Sequence, residues 1–254
     1  MKSHPVATRV GSFAWLVLQA ASVVAGILLA FAIDAWWSNR IENREKNAAL
    51  VAIRQELIDA REDVQKQRVY RRAMRQTEKA LMEAIAKGRY EDKEKTLDHR
   101  ISELLYWSSW DTGDVIQRLP SSAHFTAIES PHLRQALISW QSVRSELASV
   151  SDQDFKMYWE VTMPYLARNA SLPQLMNVAY QKGRAGDGFG TDPDAIVPLG
   201  SSVDHSVLLA KPEFAAVVVV KGTADTDVLL NLEATQKAID NLIELIDAEI
   251  EATS

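Results

Sequence analysis

The chain has no cysteine, which excludes a whole group of functions. Disulfide bonds, zinc sites built from thiolates and cysteine nucleophiles all need that side chain. An excess of positive charge is also absent, because the 28 lysines and arginines are outnumbered by 34 aspartates and glutamates, for a net charge of -6. Proteins that bind nucleic acid concentrate lysine and arginine on one face. Nucleic acid is therefore not expected as a partner.

The sequence also lacks a recognisable catalytic motif. The five histidines form no HExxH pair, and the nearest approach to a metal-binding set is His99 beside Asp98 and Glu103, for which a surface histidine on a helix is the simpler interpretation. The GDGFGTDPD stretch lacks the spaced ligands and the distal glutamate of a calcium loop, and GRAGDGFG lacks the lysine of a phosphate-binding loop. We therefore predict a protein that is not an enzyme and that uses no metal and no cofactor.

One long apolar run is present near the start of the chain. Residues 13–33 are 21 consecutive positions without a formal charge. In a helix, the segment from Trp15 to Trp36 covers about 32 Å, which matches a hydrocarbon thickness of about 30 Å. Trp15 and the pair Trp36 and Trp37 would then lie at the two membrane interfaces. This pattern predicts a single transmembrane anchor at residues 13–37, with the lipid bilayer as one partner.

Two other interpretations of this run remain open at the level of sequence. One is a helix buried in a protein core. The other is a cleaved signal peptide, because Lys2 and Arg9 precede the run and residues 30–32 have the small-x-small form of a cleavage site. The run is longer than the usual apolar region of a signal peptide, which is about 7–15 residues. A mature protein beginning at Ile33 would establish cleavage.

Small residues recur every four positions within the predicted anchor, at Ser22, Gly26 and Ala30, and Asp34 continues the spacing. Such a face lets two helix backbones approach closely in lipid. It predicts helix association in the membrane, either with a second copy or with another membrane protein. Chance spacing on a lipid-facing helix is the alternative, because small residues are common in such spans.

The chain beyond the tryptophans has no proline or glycine until Gly88, which predicts one long helix continuous with the anchor. About 50 helical residues beyond the membrane would project roughly 75 Å. Core positions recur in alternating steps of three and four, a heptad pattern that we call the first seam. Polar residues interrupt it, so a face of a helical bundle is favoured over a strict two-stranded coiled coil. The first seam comprises Leu50, Ile53, Leu57, Ala60, Val64, Gln67, Arg71, Met74, Glu78, Leu81 and Ile85.

Shorter helices are predicted in the middle of the chain. One follows the break after Gly88, through TLDHRISELLYWSSW, and another begins at Pro131 behind the capping residue Ser130 and runs to about Val150. The Ser151-Asp152 pair predicts a restart, and the new helix is expected to end near Pro164. Four tryptophans of this region are expected to meet in one aromatic core, namely Trp107, Trp110, Trp140 and Trp159.

The last part of the chain begins with a long loop and ends in helix. Residues 183–212 hold five of the ten glycines and three of the eight prolines, which predicts a loop. The EFAAVVVVKG stretch fits a buried strand or a helix begun at Pro212, and helical neighbours favour the helix. A second seam follows, and the two seams could bury each other antiparallel in one subunit or face copies of themselves. The second seam comprises Leu229, Leu232, Gln236, Ile239, Ile243, Ile246 and Ile250.

These segments predict an all-α protein: an N-terminal tail at residues 1–12, the anchor, and an elongated helical bundle at residues 38–254. Several short motifs follow one another along the chain: Gly26 to Ala30, Trp36 and Trp37, Ile53 to Leu57, and Ile128, Pro131, Leu133, Arg134 and Leu137. The order of these motifs resembles a family of uncharacterised bacterial single-pass membrane proteins. That resemblance implies a bacterial inner-membrane location, with the N-terminus in the cytoplasm and the bundle on the far side, and it implies no active site.

Three functions are compatible with this organisation. The favoured one is a membrane-anchored interaction or scaffold protein, oligomeric or an accessory subunit of a membrane complex. The alternative is a single-pass sensor whose bundle binds a small ligand near the aromatic residues and signals through a partner. An enzyme comes third, and a deep pocket with several carboxylates or histidines would favour it.

Overall fold

The computed structural model describes residues 10–106, 125, 128–182 and 202–252, and this part of the chain is all α, with six α-helices and no strand. A π-helical segment, Tyr158–Thr162, joins two of the helices, and a 3-10 helix, His205–Ala210, precedes the last one. The α-helices are α1 (Val10–Lys87), α2 (Leu97–Glu103), α3 (Pro131–Met157), α4 (Met163–Asn169), α5 (Leu172–Lys182) and α6 (Pro212–Ala252).

Helix α1 is a single continuous helix of 78 residues, about 117 Å long, as the sequence predicts. It ends at Gly88, whose φ of 65° is a left-handed conformation that glycine adopts without strain. The Gly88 amide donates to the Ile85 carbonyl and the Arg89 amide donates to the Ala84 carbonyl. These two bonds satisfy carbonyl groups that the end of the helix would otherwise leave without a donor.

The N-terminal part of α1 stands apart from the rest of the described protein. Residues 21–45 are exposed on every side of the helix, and burial begins at Lys46. Helix α1 is long and apolar enough to cross a membrane, and none of the apolar window is buried inside the protein. A helix in a protein core would be surrounded by other parts of the protein, and the described residues do not surround this segment.

Helices α1 and α6 run antiparallel and form the main contact of the bundle. Rising residue numbers on α1 pair with falling numbers on α6: Arg54 with Asp247 at 2.6 Å, then Arg61 with Asp240 at 3.7 Å. Helix α3 packs on α6 as the third long helix. The two seams therefore bury each other within one subunit. Eight seam positions are buried in one apolar cluster: Leu50, Ile53, Leu57, Val64, Leu232, Ile239, Ile243 and Ile246.

The core has two separate apolar clusters along the bundle axis. The proximal cluster, nearer the apolar end of α1, is formed by residues 50–64 of α1, 133–150 of α3 and 228–246 of α6, together with Ile128. The distal cluster combines α1, α2, the segment from the π helix to α5, the 3-10 helix and the start of α6. Its buried members are Leu81, Ala84, Ile101, Leu104, Leu105, Tyr158, Tyr165, Leu166, Leu175, Leu208, Leu209, Phe214, Val217 and Val218.

The predicted helix restart at Ser151-Asp152 is wrong, because α3 continues through both residues to Met157. The capping preference of these side chains is outweighed by a continuous buried stripe in which Val150, Asp154 and Tyr158 follow one another. The chain also remains helical beyond Pro164. There the Met163 amide donates five residues back to the Tyr158 carbonyl, and this wider π turn accommodates the proline at the start of α4.

The other predictions for the second half of the chain have mixed outcomes. EFAAVVVVKG is helical, at the start of α6, and Ser130 caps α3 by accepting from the Leu133 amide. The predicted loop is shorter at its C-terminal end, because residues 205–210 form the 3-10 helix and α6 starts at Pro212. Residues 183–201 lie outside the described chain.

A single aromatic core is not formed. Trp107 and Trp110 lie outside the described residues. Trp140 is buried in the proximal cluster, whereas Trp159 is 49% exposed and contacts the rings of Phe155 and Tyr158. Nineteen helical residues place Trp140 and Trp159 about 28 Å apart along the axis, which is too far for one core.

Candidate functional site

A layer of buried charges separates the two apolar clusters. Arg71 of α1, Asp154 of α3 and the pair Lys221 and Asp225 of α6 have side chains that are at most 1% exposed. On α1 and α6 these residues lie between the segment that forms the proximal cluster and the segment that forms the distal one, and Asp154 lies between Val150 of the proximal cluster and Tyr158 of the distal one. We call these four residues the ionic layer.

The four charges of the ionic layer are fully paired. Arg71 donates from Nη2 to Asp154 Oδ2 at 2.7 Å and from Nη1 to Asp225 Oδ1. Lys221 Nζ donates to Asp154 Oδ1 at 2.7 Å and to Asp225 Oδ1 at 2.9 Å. Each cation thus bridges both carboxylates, and the layer ties three helices together at one level.

This pairing is what makes the burial of four charges tolerable. Burial by itself lowers the pKa of an arginine, but Asp225 and Asp154 outweigh it and raise the pKa of Arg71. Burial raises the pKa of a carboxyl group, yet Lys221 and Arg71 reverse this and lower the pKa of Asp225. Arg71 and Asp225 are therefore charged, and removal of any one of the four groups would leave its buried partners without a compensating charge.

A third carboxyl group, Glu78, adjoins the layer and is also buried. Its Oε2 accepts from Arg75 Nη1 at 2.9 Å, and Arg75 also donates to the Gly222 carbonyl at 2.9 Å. A Cβ atom on residue 222 would lie 2.9 Å from Glu78 Oε2, so glycine is what allows α1 and α6 to approach here. Burial, followed by a hydrogen bond to Asp225, raises the pKa of Glu78 to about 8.

An open groove of about 680 Å³ runs along the surface beside Glu78, between α1 and α6. Arg75 and Glu78 line one wall, and Gly222 and Thr226 line the other. The groove gives solvent a route to the edge of the ionic layer. A small molecule or water can approach Glu78 through this groove.

A second buried ion pair closes the proximal end of the bundle. Lys46 Nζ is 3.4 Å from Glu249 Oε1, and both residues are buried. The Glu249 carboxylate also accepts from the backbone amides of Glu129 at 2.7 Å and Ser130 at 3.0 Å, directly before α3. Burial raises the pKa of such a carboxyl group, but these two amides and Lys46 outweigh it and lower the pKa of Glu249.

The histidines do not form a metal site in the described part of the chain. His205 Nδ1 lies 2.7 Å from Asp98 Oδ1, and His205 Nε2 accepts from the Ser171 amide at 3.0 Å. The acceptor role of Nε2 assigns the ring proton to Nδ1, so the histidine joins α2 to the start of α5. His99 lies near Glu103, while Asp98 is directed to His205, and no group of three suitable side chains among the described residues could hold a metal ion.

The predicted membrane residues are all on the isolated part of α1. Trp15, Trp36 and Trp37 are each more than half exposed, and the Arg40 guanidinium lies over the Trp36 ring at 5.5 Å. Ser22, Gly26 and Ala30 are exposed, and Ser22 Oγ donates to the Gln19 carbonyl. No atom lies within 4 Å of a Cβ built on Gly26, so this face has room for another helix.

The ionic layer was only partly visible in the sequence. Arg71 and Glu78 appear there as interruptions of the first seam, but their partners were missed. The available signal was the Lys221 and Asp225 pair, four residues apart and in phase with the apolar stripe of α6, together with Asp154 in phase with Val150. Charges at core positions on three helices indicate a buried network.

Comparison with protein-family models, with curated proteins and with solved structures finds no match to this chain. The resemblance to a bacterial membrane-protein family therefore stays a prediction, and the function has to be argued from the geometry.

Proposed function

We propose that the protein is a membrane-anchored helical interaction or scaffold protein without catalytic activity. It associates with itself or with another membrane protein, in a bacterial inner membrane. One observation carries this proposal: the exposed apolar segment and the bundle belong to the same uninterrupted helix. A transmembrane segment that continues into a packed bundle holds that bundle at a fixed distance and direction from the bilayer.

Lipid is the occupant that best fits the exposed segment. Its apolar side chains are distributed around the whole helix, as in a span surrounded by acyl chains, whereas a helix docked on a soluble partner has one apolar face. Aromatic side chains at both ends match the two interfacial regions. Eight exposed residues, 38–45, then separate Trp37 from the first buried position of the bundle.

The distribution of positive charge is compatible with a cytoplasmic N-terminus. Lys2 and Arg9 precede the span, and Arg40, Arg44 and Lys46 follow it. Lys46 is buried against Glu249 and is therefore not available to interact with lipid headgroups. Only Arg40 and Arg44 then remain close to the span on the bundle side, the same number of basic residues as Lys2 and Arg9 give the N-terminal side.

Fractionation of cells that express the full chain tests the anchor. We expect the protein in the membrane pellet after alkaline carbonate washing, solubilised only by detergent, with its original N-terminus. Full-length protein in the soluble fraction would contradict the proposal. An N-terminus at Ile33 would show that the segment is a signal peptide.

Association through the small-residue face can be tested with two identical substitutions. Ala30→Leu adds bulk beside Gly26, whereas Ala21→Leu makes the same change on the opposite face of the helix. We expect chemical crosslinking in membranes to give a dimer or a defined complex that Ala30→Leu weakens and Ala21→Leu leaves intact. A wild-type protein that is monomeric by crosslinking and by mass in detergent, with no co-purifying protein, would contradict the scaffold role.

The groove beside the ionic layer favours a second candidate, a single-pass sensor. A small ligand bound between Arg75 and Thr226 would contact both α1 and α6, and α1 leads directly to the membrane. We expect a ligand of this kind to raise the melting temperature of the detergent-solubilised protein. No change across a broad panel of metabolites, with intact crosslinked complexes, would favour the scaffold.

A further inference from the structure

The charges around Glu78 do not balance if all the carboxyl groups are ionised. In the ionic layer, Arg71 and Lys221 neutralise Asp154 and Asp225, two charges against two. The remaining partner of Glu78 is Arg75, whose side chain is 46% exposed and therefore interacts through a partly aqueous environment. An ionised Glu78 would add a third buried negative charge to a site with two buried positive ones.

Hydrogen bonding around the same group is also incomplete. Glu78 Oε1 and Asp225 Oδ2 are buried oxygens without a hydrogen-bond donor among the described residues. Glu78 packs over Gly222, and Asp225 lies one helical turn further along α6 on the same face, within hydrogen-bonding reach of Glu78. Two ionised carboxylates only accept hydrogen bonds, so a single proton between them satisfies both oxygens at once.

We propose that Glu78 and Asp225 together bind one proton, and that release of this proton above neutral pH loosens the contact between α1 and α6 at the ionic layer. Burial and the neighbouring Asp225 raise the pKa of Glu78 to about 8, in the direction that this geometry requires. The proton resides mainly on Glu78, because Lys221 and Arg71 keep Asp225 ionised.

Charged groups of four helices lie around this site. Helix α1 contributes Arg71, Arg75 and Lys79, and α6 contributes Lys221 and, on the groove wall, Asp227. Helix α3 contributes Asp154 through its two bonds to the same cations. Helix α2 contributes Glu103, which pairs with Thr77 on the adjacent position of α1.

Release of the proton leaves two negative carboxylates in hydrogen-bonding reach, at a point where α1 and α6 already approach closely over Gly222. Their repulsion is relieved by separation of the helices and by entry of water from the groove. The inference concerns the bundle alone and does not depend on the proposed membrane function.

The absence of cysteine makes a distance measurement straightforward. Spin labels on Glu83→Cys of α1 and Ala216→Cys of α6, two exposed positions, report the separation of the helices in the full chain in detergent. We expect a constant distance at acid and neutral pH and an increase with a midpoint near pH 8. Glu78→Gln should abolish this transition, and Asp227→Asn, an exposed carboxyl group in the same groove, should retain it.

Infrared spectra give a second, direct readout. We expect the carbonyl band of a protonated carboxylic acid to disappear with the same midpoint in wild type and in Asp227→Asn, and to be missing in Glu78→Gln. A wild-type distance that is independent of pH, or a transition that persists in Glu78→Gln, would overturn the proposal. If Glu78→Gln does not fold, the infrared titration decides: no protonated carboxyl band at neutral pH in wild type overturns the proposal.

Discussion

The most direct test of the ionic layer is removal of one charge without loss of volume. Asp154→Asn keeps the shape of the side chain and one acceptor oxygen, but it leaves Arg71 and Lys221 with Asp225 as their only ionised partner in the layer. Both cations remain buried, because they belong to the core of a continuous three-helix packing.

The cost can be derived from the burial of the two cations. Removing one member of a buried ionic network typically costs about 3–5 kcal/mol, since the remaining charge cannot regain its hydration. For a folded unit of this size, a change of 1 kcal/mol shifts the melting temperature by about 2–4 °C. We therefore expect Asp154→Asn to lower the melting temperature by about 6–20 °C.

Thermal melting followed by circular dichroism, on the full chain in mild detergent, measures this difference. Asp152→Asn is the matched control, because residue 152 lies on the same helix and is exposed. It should change the stability by less than about 0.5 kcal/mol. If Asp154→Asn melts within about 2 °C of wild type while Asp152→Asn behaves as expected, the charges are not coupled as described.

Removal of all four charges of the ionic layer should affect stability differently from removal of one. Replacing all four charges with apolar residues of similar volume, such as Met for Arg71 and Lys221 and Leu for Asp154 and Asp225, removes the uncompensated charges along with the pairs. Such replacements are often neutral or stabilising by about 1–4 kcal/mol. Recovery of the melting temperature in the fourfold variant would show that the layer determines which residues pair rather than how stable the bundle is.

Three further predictions follow from the contacts of single residues. Folding raises the pKa of Glu78 from 4.5 to about 8, so folding binds a proton between these pH values. The free energy of unfolding should therefore fall by up to about 1.4 kcal/mol per pH unit across that window and no further above it. Melting curves of Glu78→Gln should lack this slope. Gly222→Ala should destabilise the protein by about 1–3 kcal/mol despite the better helix propensity of alanine, because the added Cβ meets Glu78. The change Ala216→Gly at an exposed position should cost only about 1 kcal/mol. Melting curves measure the stability of both variants. Glu249→Gln should weaken the start of α3, seen as faster hydrogen exchange of its first amides, and the exposed Glu251→Gln should not.

The architecture of α1 was accessible from local sequence signals. The lack of proline throughout α1, and of glycine in its residues 38–87, specifies a continuous helix, and the glycine at position 88 specifies where it ends. The apolar run specifies which part of the helix is incompatible with water. The free energy of transferring apolar surface out of water depends on the side chains themselves and not on their neighbours. The seam positions follow in the same way from the 3.6-residue period of the helix.

Local signals were misleading where two of them competed with packing. Ser151 and Asp152 have the side chains of a helix start, yet the helix continues because Val150, Asp154 and Tyr158 form one buried stripe. Pro164 has the form of a helix end, yet a π turn accommodates it. At Ser151 and Asp152 the energy of long-range burial exceeds a local capping preference of about 1 kcal/mol. At Pro164 the π turn instead changes the backbone hydrogen bonds around the proline.

The sequence by itself determined the helices, their apolar faces and the segment that is suited to lipid, since each of these depends on residues that are neighbours along the chain. Only the tertiary structure decided that the two seams meet antiparallel in one subunit, and that Arg71, Asp154, Lys221 and Asp225 form one ionic layer. The physical reason is that a buried charge is defined by its partners, and the partners that lie on different helices are separated by 67 to 154 positions in the chain.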